Sequence, residues 1–306
     1  SSNEAFYLET APKRAVIAGA GYIAVEFAGI FHGYGARVDL CIRKDRFLRG
    51  FDDDIATFLQ DQMIKQGVNV RPRTQIRKVE QVAGRKGWFH VTFDNGETVE
   101  ADVVMSAIGR KPKLEGIGLE RAGVETCDKG FIKVDRYQRT NVPSIFALGD
   151  CTDTLQLTPA ALAEGHCFAD TQFGGNERFS DLEDVATAVF SHPNIGTVGL
   201  SETDAEGKYG HIKVFKSEFR PLKHTMTEST ERSIMKVIVD AKSDRVVGMH
   251  MVGAHAGEMM QGFAAAIKCR ITKKQLDSVI GIHPTSAEEF VTMRTMAYEK
   301  GGSDTV

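Results

Sequence analysis

The stretch IAGAGYIAVEFAGI, Ile17 to Ile30, limits what this chain can fold into more than any other segment. Arg14 to Ala18 is a short apolar run of the kind that makes a buried parallel strand. It runs directly into Gly19-x-Gly21-x-x-Ala24, and Ile23, Phe27, Ile30, Phe31 and Tyr34 then recur with helical spacing. Gly35 stands where the helix would stop, and ARVDLCI reads as a second strand. Such a strand–loop–helix–strand unit is the context in which a glycine motif binds a dinucleotide. Gly19 permits a tight turn, Gly21 admits a pyrophosphate to the backbone, and Ala24 lets the helix lie close on the sheet. The helix start at Tyr22 and Ile23 offers N–H groups and the positive end of the helix dipole to phosphate. A plain glycine turn in an α/β fold is the competing reading.

The end of the second strand selects the nucleotide. NAD and FAD sites place Asp or Glu there, against the ribose 2′-hydroxyl. This chain instead has Ile42-Arg43, followed by Lys44-Asp45-Arg46-Phe47-Leu48-Arg49. Guanidinium groups suit a 2′-phosphate, which they bind in bidentate fashion, so NADPH is expected over NADH. Asp45 is the acidic alternative, but it lies past the strand and among cations.

The remaining pattern divides the chain. Val68–Arg71 reads as a third parallel strand, and Ile76–Val82, Trp88–Phe93 and Thr98–Val99 as an antiparallel excursion with an Asp94-Asn95-Gly96 turn. ADVVMSAIGRKP is a buried strand ending at Gly109 and Arg110, and Pro112 marks a boundary. A strand at Ile145–Leu148 ends at Gly149-Asp150, and Leu157-Thr158-Pro159 opens a helix. Past about Leu182, strands at Ile212–Phe215, Ser233–Val239 and Val246–Met251 precede a helix from Gly257 to about Ile271, an α+β pattern. Three parts result: an α/β Rossmann-like nucleotide domain over 1–112 with a linker at 1–12, the return part of a second α/β domain over 113–182, and an α+β interface domain over 183–306. Near the end, His283-Pro-Thr285-x-x-Glu288 contains a capping box, which explains Thr285 and Glu288 without any chemistry.

Bulk properties exclude other classes. The net charge of −3 with no long basic block argues against nucleic acid. No apolar run reaches the length of a membrane span, and no signal peptide is visible. Cys41, Cys127, Cys151, Cys167 and Cys269 are scattered with no C-x-x-C or C-x4-C pair, as expected for reduced thiols in a cytoplasmic protein.

AGAGYIAVEFAGI with IRKDRFLRGFD, then VPSIFALGDCTDTLQLTPAALAEG, then HPTSAEEFVTMR, resembles the pyridine nucleotide–disulfide oxidoreductases, the glutathione-reducing members above all. The resemblance implies that Tyr22 gates a nicotinamide pocket, with Glu26 beside it. It implies that Arg43 and Arg49 hold the 2′-phosphate and that Gly109 and Arg110 border the site. Asp150 would bind the ribityl chain of FAD, and Leu157 and Thr158 would lie near the flavin ring. His283, oriented by Glu288, would act as general acid–base toward thiols of a partner subunit in a homodimer. The implied reaction is NADPH-dependent reduction of glutathione disulfide. Members acting on dihydrolipoamide or mercuric ion, and a non-catalytic nucleotide-binding protein, are the alternatives.

Two family features are missing from these residues: a second, FAD-binding GxGxxG unit and the redox C-x4-C pair. The expectation is a truncated protein beginning at the linker SSNEAF, without disulfide reductase activity of its own. A further departure is His166, where many members carry an arginine that binds substrate carboxylate.

Overall fold

The computed structural model describes residues 1–302. Helix α1 (Ser2–Ala5) leads to β1 (Arg14–Ala18), α2 (Tyr22–Gly33), β2 (Arg37–Cys41), α3 (Asp53–Gln66) and β3 (Asn69–Arg71). Strands β4 (Ile76–Gln81), β5 (Phe89–Phe93) and β6 (Thr98–Ala101) form a separate antiparallel sheet, and the chain returns in β7 (Val103–Ser106). The parallel sheet has the order β3-β2-β1-β7. Its apolar strands are covered on one face by α2 and α3, so Ile17, Leu40, Ile55 and Leu59 are fully buried in one core. Each such side chain contributes about 1.5–3 kcal/mol by leaving water.

The buried face of α2 differs from the expected one. It consists of Ala24, Val25, Phe27, Ala28, Gly29 and Phe31, while Ile30 and Tyr34 are exposed. Close approach explains this. A Cβ on Gly29 would sit 2.9 Å from His192 Nδ1, so a side of the helix carrying its small residues is buried along with Phe27 and Phe31.

Residues Gly109–Glu183 form a compact unit of their own. It holds α4 (Leu119–Ala122), a 3-10 turn at Gly149–Cys151 and α5 (Thr158–Gln172) around a small core of Val124, Ile132 and Ala147. The strand expected at Ile145–Leu148 is not formed. Apolar composition is not enough for a strand without a neighbour to pair with along its length, and only a bridge between Phe146 and Arg139 is present.

The last stretch contains β8 (Thr187–Val189), β9 (Ile195–Gly199), α6 (Glu202–Tyr209), β10 (Ile212–Phe219), β11 (Ser233–Asp240), β12 (Val246–Val252), α7 (Ala256–Lys268), α8 (Lys273–Ser278), α9 (Glu288–Thr292) and β13 (Tyr298–Lys300). They build an antiparallel sheet of order β13-β10-β11-β12-β9-β8. Strands β11 and β12 are buried along their whole length. Val198, Val237 and Met249 join the core under α7, whereas Ile234 and Val252 join the core that contains α3. The described residues from Asp184 onward therefore form one compact unit with Ser1–Ile108. The sequence pattern had separated these stretches into a nucleotide domain and an interface domain. The short edge strands β8 and β13 and helix α6 had no readable periodicity and were not anticipated.

Candidate functional site

The glycine loop connects β1 to α2. Gly19 has φ +151°, and a Cβ there would lie 2.3 Å from the Ala107 carbonyl oxygen, so no other residue fits without backbone movement. A Cβ on Gly21 would meet nothing within 4 Å. Gly21 is the N-cap of α2, and no side chain caps that helix. The first amides of a twelve-residue helix therefore face an open approach beside Gly21, an anion site in waiting. Tyr22 is half-exposed at the first helical position, and Ile23 is partly buried against the core.

The cation loop follows β2 and is stitched to the glycine loop, since the Leu48 N–H donates to the Ala20 carbonyl at 2.7 Å. Phe47 and Leu48 are buried and anchor it. Two of its charges are committed elsewhere: Arg46 pairs with Asp53, and Asp45 accepts from Arg73 Nε at 2.6 Å. The Arg73 hydrogen bond holds the Asp45 carboxyl below its usual range. Arg43 and Arg49 are exposed, and neither side chain has a hydrogen-bond or ion-pair partner among the described residues. The loop thus presents two uncommitted guanidinium groups and withholds Asp45.

Glu26, one turn into α2, accepts a hydrogen bond from the Phe190 N–H at 2.9 Å. Its partial burial pushes the carboxyl above its ordinary value, with the Phe190 N–H opposing.

In the second unit, Gly109 (φ +132°) and Arg110 lie at its start. Asp150 is exposed in the 3-10 turn. The buried Glu164 carboxylate accepts the Gly149 N–H at 2.7 Å and ties this turn to α5. The start of α5 has Leu157 as N-cap, Thr158 as first residue and no side-chain cap. The N-terminal amides of α5 are left unbonded by side chains.

His283 and Glu288 come together at the start of α9, Nδ1 of His283 lying 3.0 and 3.2 Å from the two carboxylate oxygens. The capping box is only half formed. The Glu288 N–H donates to Thr285 Oγ1 at 3.3 Å, but the Glu288 carboxylate goes to the histidine instead of returning to a backbone N–H. A carboxylate only accepts, so Nδ1 carries the proton and Nε2 of the exposed ring is the acceptor.

Sequence reading missed a buried polar cluster. Lys236, mid-strand in β11, is 1% exposed and is surrounded by Asp52, Asp54 and Glu202. The signal was a lysine inside the apolar run SIMKVIVD, which demands buried acids but does not name them. All five cysteines are free thiols. No helix among the described residues is long and apolar enough to cross a membrane.

Residues 1–165 match the family described as "Pyridine nucleotide-disulphide oxidoreductase", and residues 185–294 match its dimerisation domain. A glutathione reductase of Nostoc sp. is 45% identical over 96% of this chain, and one of Burkholderia cepacia is 45% identical, also over 96%. A trypanothione reductase of Trypanosoma congolense is 42% identical over 97%. The chain spans 66%, 65% and 61% of the lengths of these three proteins. With both family regions matched across most of its length, the chain belongs to the pyridine nucleotide-disulphide oxidoreductases and includes their dimerisation domain.

Proposed function

We propose that this chain binds NADPH and belongs to an NADPH-dependent flavoprotein that reduces glutathione disulfide. The observation that carries the reading is the pair of uncommitted guanidinium groups, Arg43 and Arg49, on a loop tied directly to an uncapped helix start. Gly21 and the first amides of α2 hold the pyrophosphate, and the two arginines hold the 2′-phosphate. Tyr22 covers the helix start, and the half-buried Glu26 stands one turn below it. With Asp45 paired to Arg73, nothing in the loop offers a carboxylate to the 2′-hydroxyl of NADH.

The second unit has features that fit FAD. Asp150 presents an acceptor for sugar hydroxyls, and the uncapped α5 with Leu157 and Thr158 supplies a positive helix end. When bound, FAD supplies the two-electron relay between nicotinamide and disulfide. His283 takes and returns a proton at Nε2 as a thiol becomes thiolate and back, with Glu288 holding the tautomer. The dimerisation match supports a homodimer in which this pair serves the partner's site. The functional division into 1–112, 113–182 and 183–306 is retained as part of this proposal.

These residues contain no C-x4-C pair, so we expect no turnover of glutathione disulfide by the 306-residue chain alone. Relatives named for glutathione and for trypanothione match at similar identity, and glutathione is preferred on the slightly higher figures.

The test is calorimetric titration of the chain with 2′,5′-ADP and 5′-AMP. Preference for the 2′-phosphate by about tenfold or more, lost on Arg43→Ala with Arg49→Ala, supports the reading. Equal affinity for the two ligands would refute it.

A further inference from the structure

We propose that Lys236 is a positioning residue for the 2′-phosphate site: it fixes Arg49 from the far side of the loop, through Asp52, and thereby sets nucleotide discrimination. The inference rests on the NADPH reading above and deepens it.

The geometry is specific. Lys236 Nζ lies 2.9 Å from both carboxylate oxygens of Asp52 and 2.8 Å from Asp54 Oδ2, and it also donates to Glu202. Asp52 Oδ1 accepts the Asp54 N–H at 3.1 Å, and Oδ2 accepts the Glu202 N–H at 3.0 Å. One carboxylate therefore caps α3, receives an amide from α6 and meets the ammonium of β11. Lys216 Nζ reaches Asp54 at 3.2 Å, while Lys300 and the Tyr298 hydroxyl reach Glu202. Three carboxylates thus face three ammonium groups, and the cluster is neutral as a whole. His250, opposite Lys236 on β12, uses both ring nitrogens on Thr197 and the Leu200 carbonyl.

Asp52 lies three residues after Arg49. On the other side of Arg49, Leu48 is buried and its N–H is bonded to Ala20. Only Arg49, Gly50 and Phe51 lie between these two fixed points. The segment is short, and the Phe51 N–H closes it onto the Leu48 carbonyl at 3.2 Å, so the Arg49 backbone is bounded by Leu48 on one side and Asp52 on the other. Bidentate recognition of a phosphate is sensitive to that placement, because the guanidinium fork has a fixed geometry. A buried ion cluster is a poor source of net stability compared with well-packed apolar groups, whereas it enforces one register. Here the register it enforces is that of the loop carrying the free arginine.

The test uses the 306-residue chain with Lys236→Met, titrated with 2′,5′-ADP and 5′-AMP. The unsubstituted chain must first prefer 2′,5′-ADP; if it does not, the NADPH reading fails, independently of Lys236. Given that preference, the variant should keep its 5′-AMP affinity and lose about five- to tenfold of its 2′,5′-ADP affinity. A folded variant with an unchanged ratio of the two affinities, or with both reduced equally, overturns the proposal, since a merely structural role predicts one of those outcomes. Asp52→Asn keeps a capping side chain but removes the carboxylate charge that meets Lys236, weakening the link from the loop side. If the Met variant does not fold, the same selective loss in Asp52→Asn sustains the proposal, and an unchanged ratio rejects it.

Discussion

The two glycines of the nucleotide loop answer to different demands, and alanine at each should separate them. At Gly19 the added Cβ would stand 2.3 Å from the Ala107 oxygen and 2.8 Å from its carbonyl carbon. An ordinary contact needs roughly 1 Å more. Ala107 has little freedom to give way, because its N–H donates to the Ala18 carbonyl at 2.8 Å, extending the pairing of β1 and β7. Overpacking of this kind costs about 1–3 kcal/mol. Holding alanine near φ +151° adds about 1–3 kcal/mol more. Gly19→Ala should therefore lose about 2–6 kcal/mol, a fall in Tm of roughly 4–24 °C for a domain of this size. At Gly21 the new methyl meets nothing within 4 Å, and φ is −88°. The weaker alanine N-cap and the less entropic unfolded chain nearly offset, leaving a change within about 1 kcal/mol. That same methyl projects into the approach proposed for the pyrophosphate, so NADPH affinity should fall by about tenfold or more. Thermal unfolding followed by circular dichroism, and NADPH titration followed by fluorescence, read the two effects separately. If Gly21→Ala binds NADPH as the unsubstituted chain does, or melts as early as Gly19→Ala, the assignment of roles is wrong.

Two further predictions concern charge. For Asp39, Asp54 and Glu202, burial alone would raise the carboxyl, but hydrogen bonds from Arg71, Lys236 and their neighbours outweigh it and hold each below the usual range. Depressed folded values mean that the unfolded chain takes up protons first, so this stability is complete above about pH 4–5 and is lost as pH falls further. Burial also lowers His250, so its contribution begins to fall below about pH 6.5. Urea midpoints should thus decline gently from pH 7 and steeply below pH 4.5; a midpoint constant down to pH 3.5 would contradict the assignment. Separately, Glu288→Gln removes the acceptor charge at His283 Nδ1. Nitrogen-15 spectra of the imidazole should show the Nδ1–H tautomer dominant in the unsubstituted chain and a mixed population in the variant; an unchanged population would show that Glu288 does not set the tautomer.

Some of this was legible in local sequence. The glycine turn, the uncapped helix start and the first three parallel strands depend on backbone conformation and short-range periodicity, which neighbouring residues dictate. The charge excess after β2 was equally visible, because it needed only counting. The division of labour within it was not, since Asp45 is taken by Arg73 and Arg46 by Asp53 through side-chain reach across folded loops. Likewise, the HPTSAEE segment supported both a helix cap and an acid–base pair. The folded loop turns the Glu288 carboxylate to the imidazole while its N–H stays on Thr285 Oγ1, so the two features coexist.

What the sequence determined by itself was the repertoire: a nucleotide loop of the right residue types, cations suited to a 2′-phosphate, and an imidazole with an acid in reach. What only the tertiary structure decided was commitment. Lys236 meets Asp52 across 184 residues, Glu26 meets the Phe190 amide across 164, and Ile145–Leu148 pairs only through a single bridge at Phe146 and forms no strand. The reason is physical. Hydrogen bonds and ion pairs in a buried site depend on distances of about 3 Å between groups that chain order leaves unrelated, and only the packed core brings them to that distance.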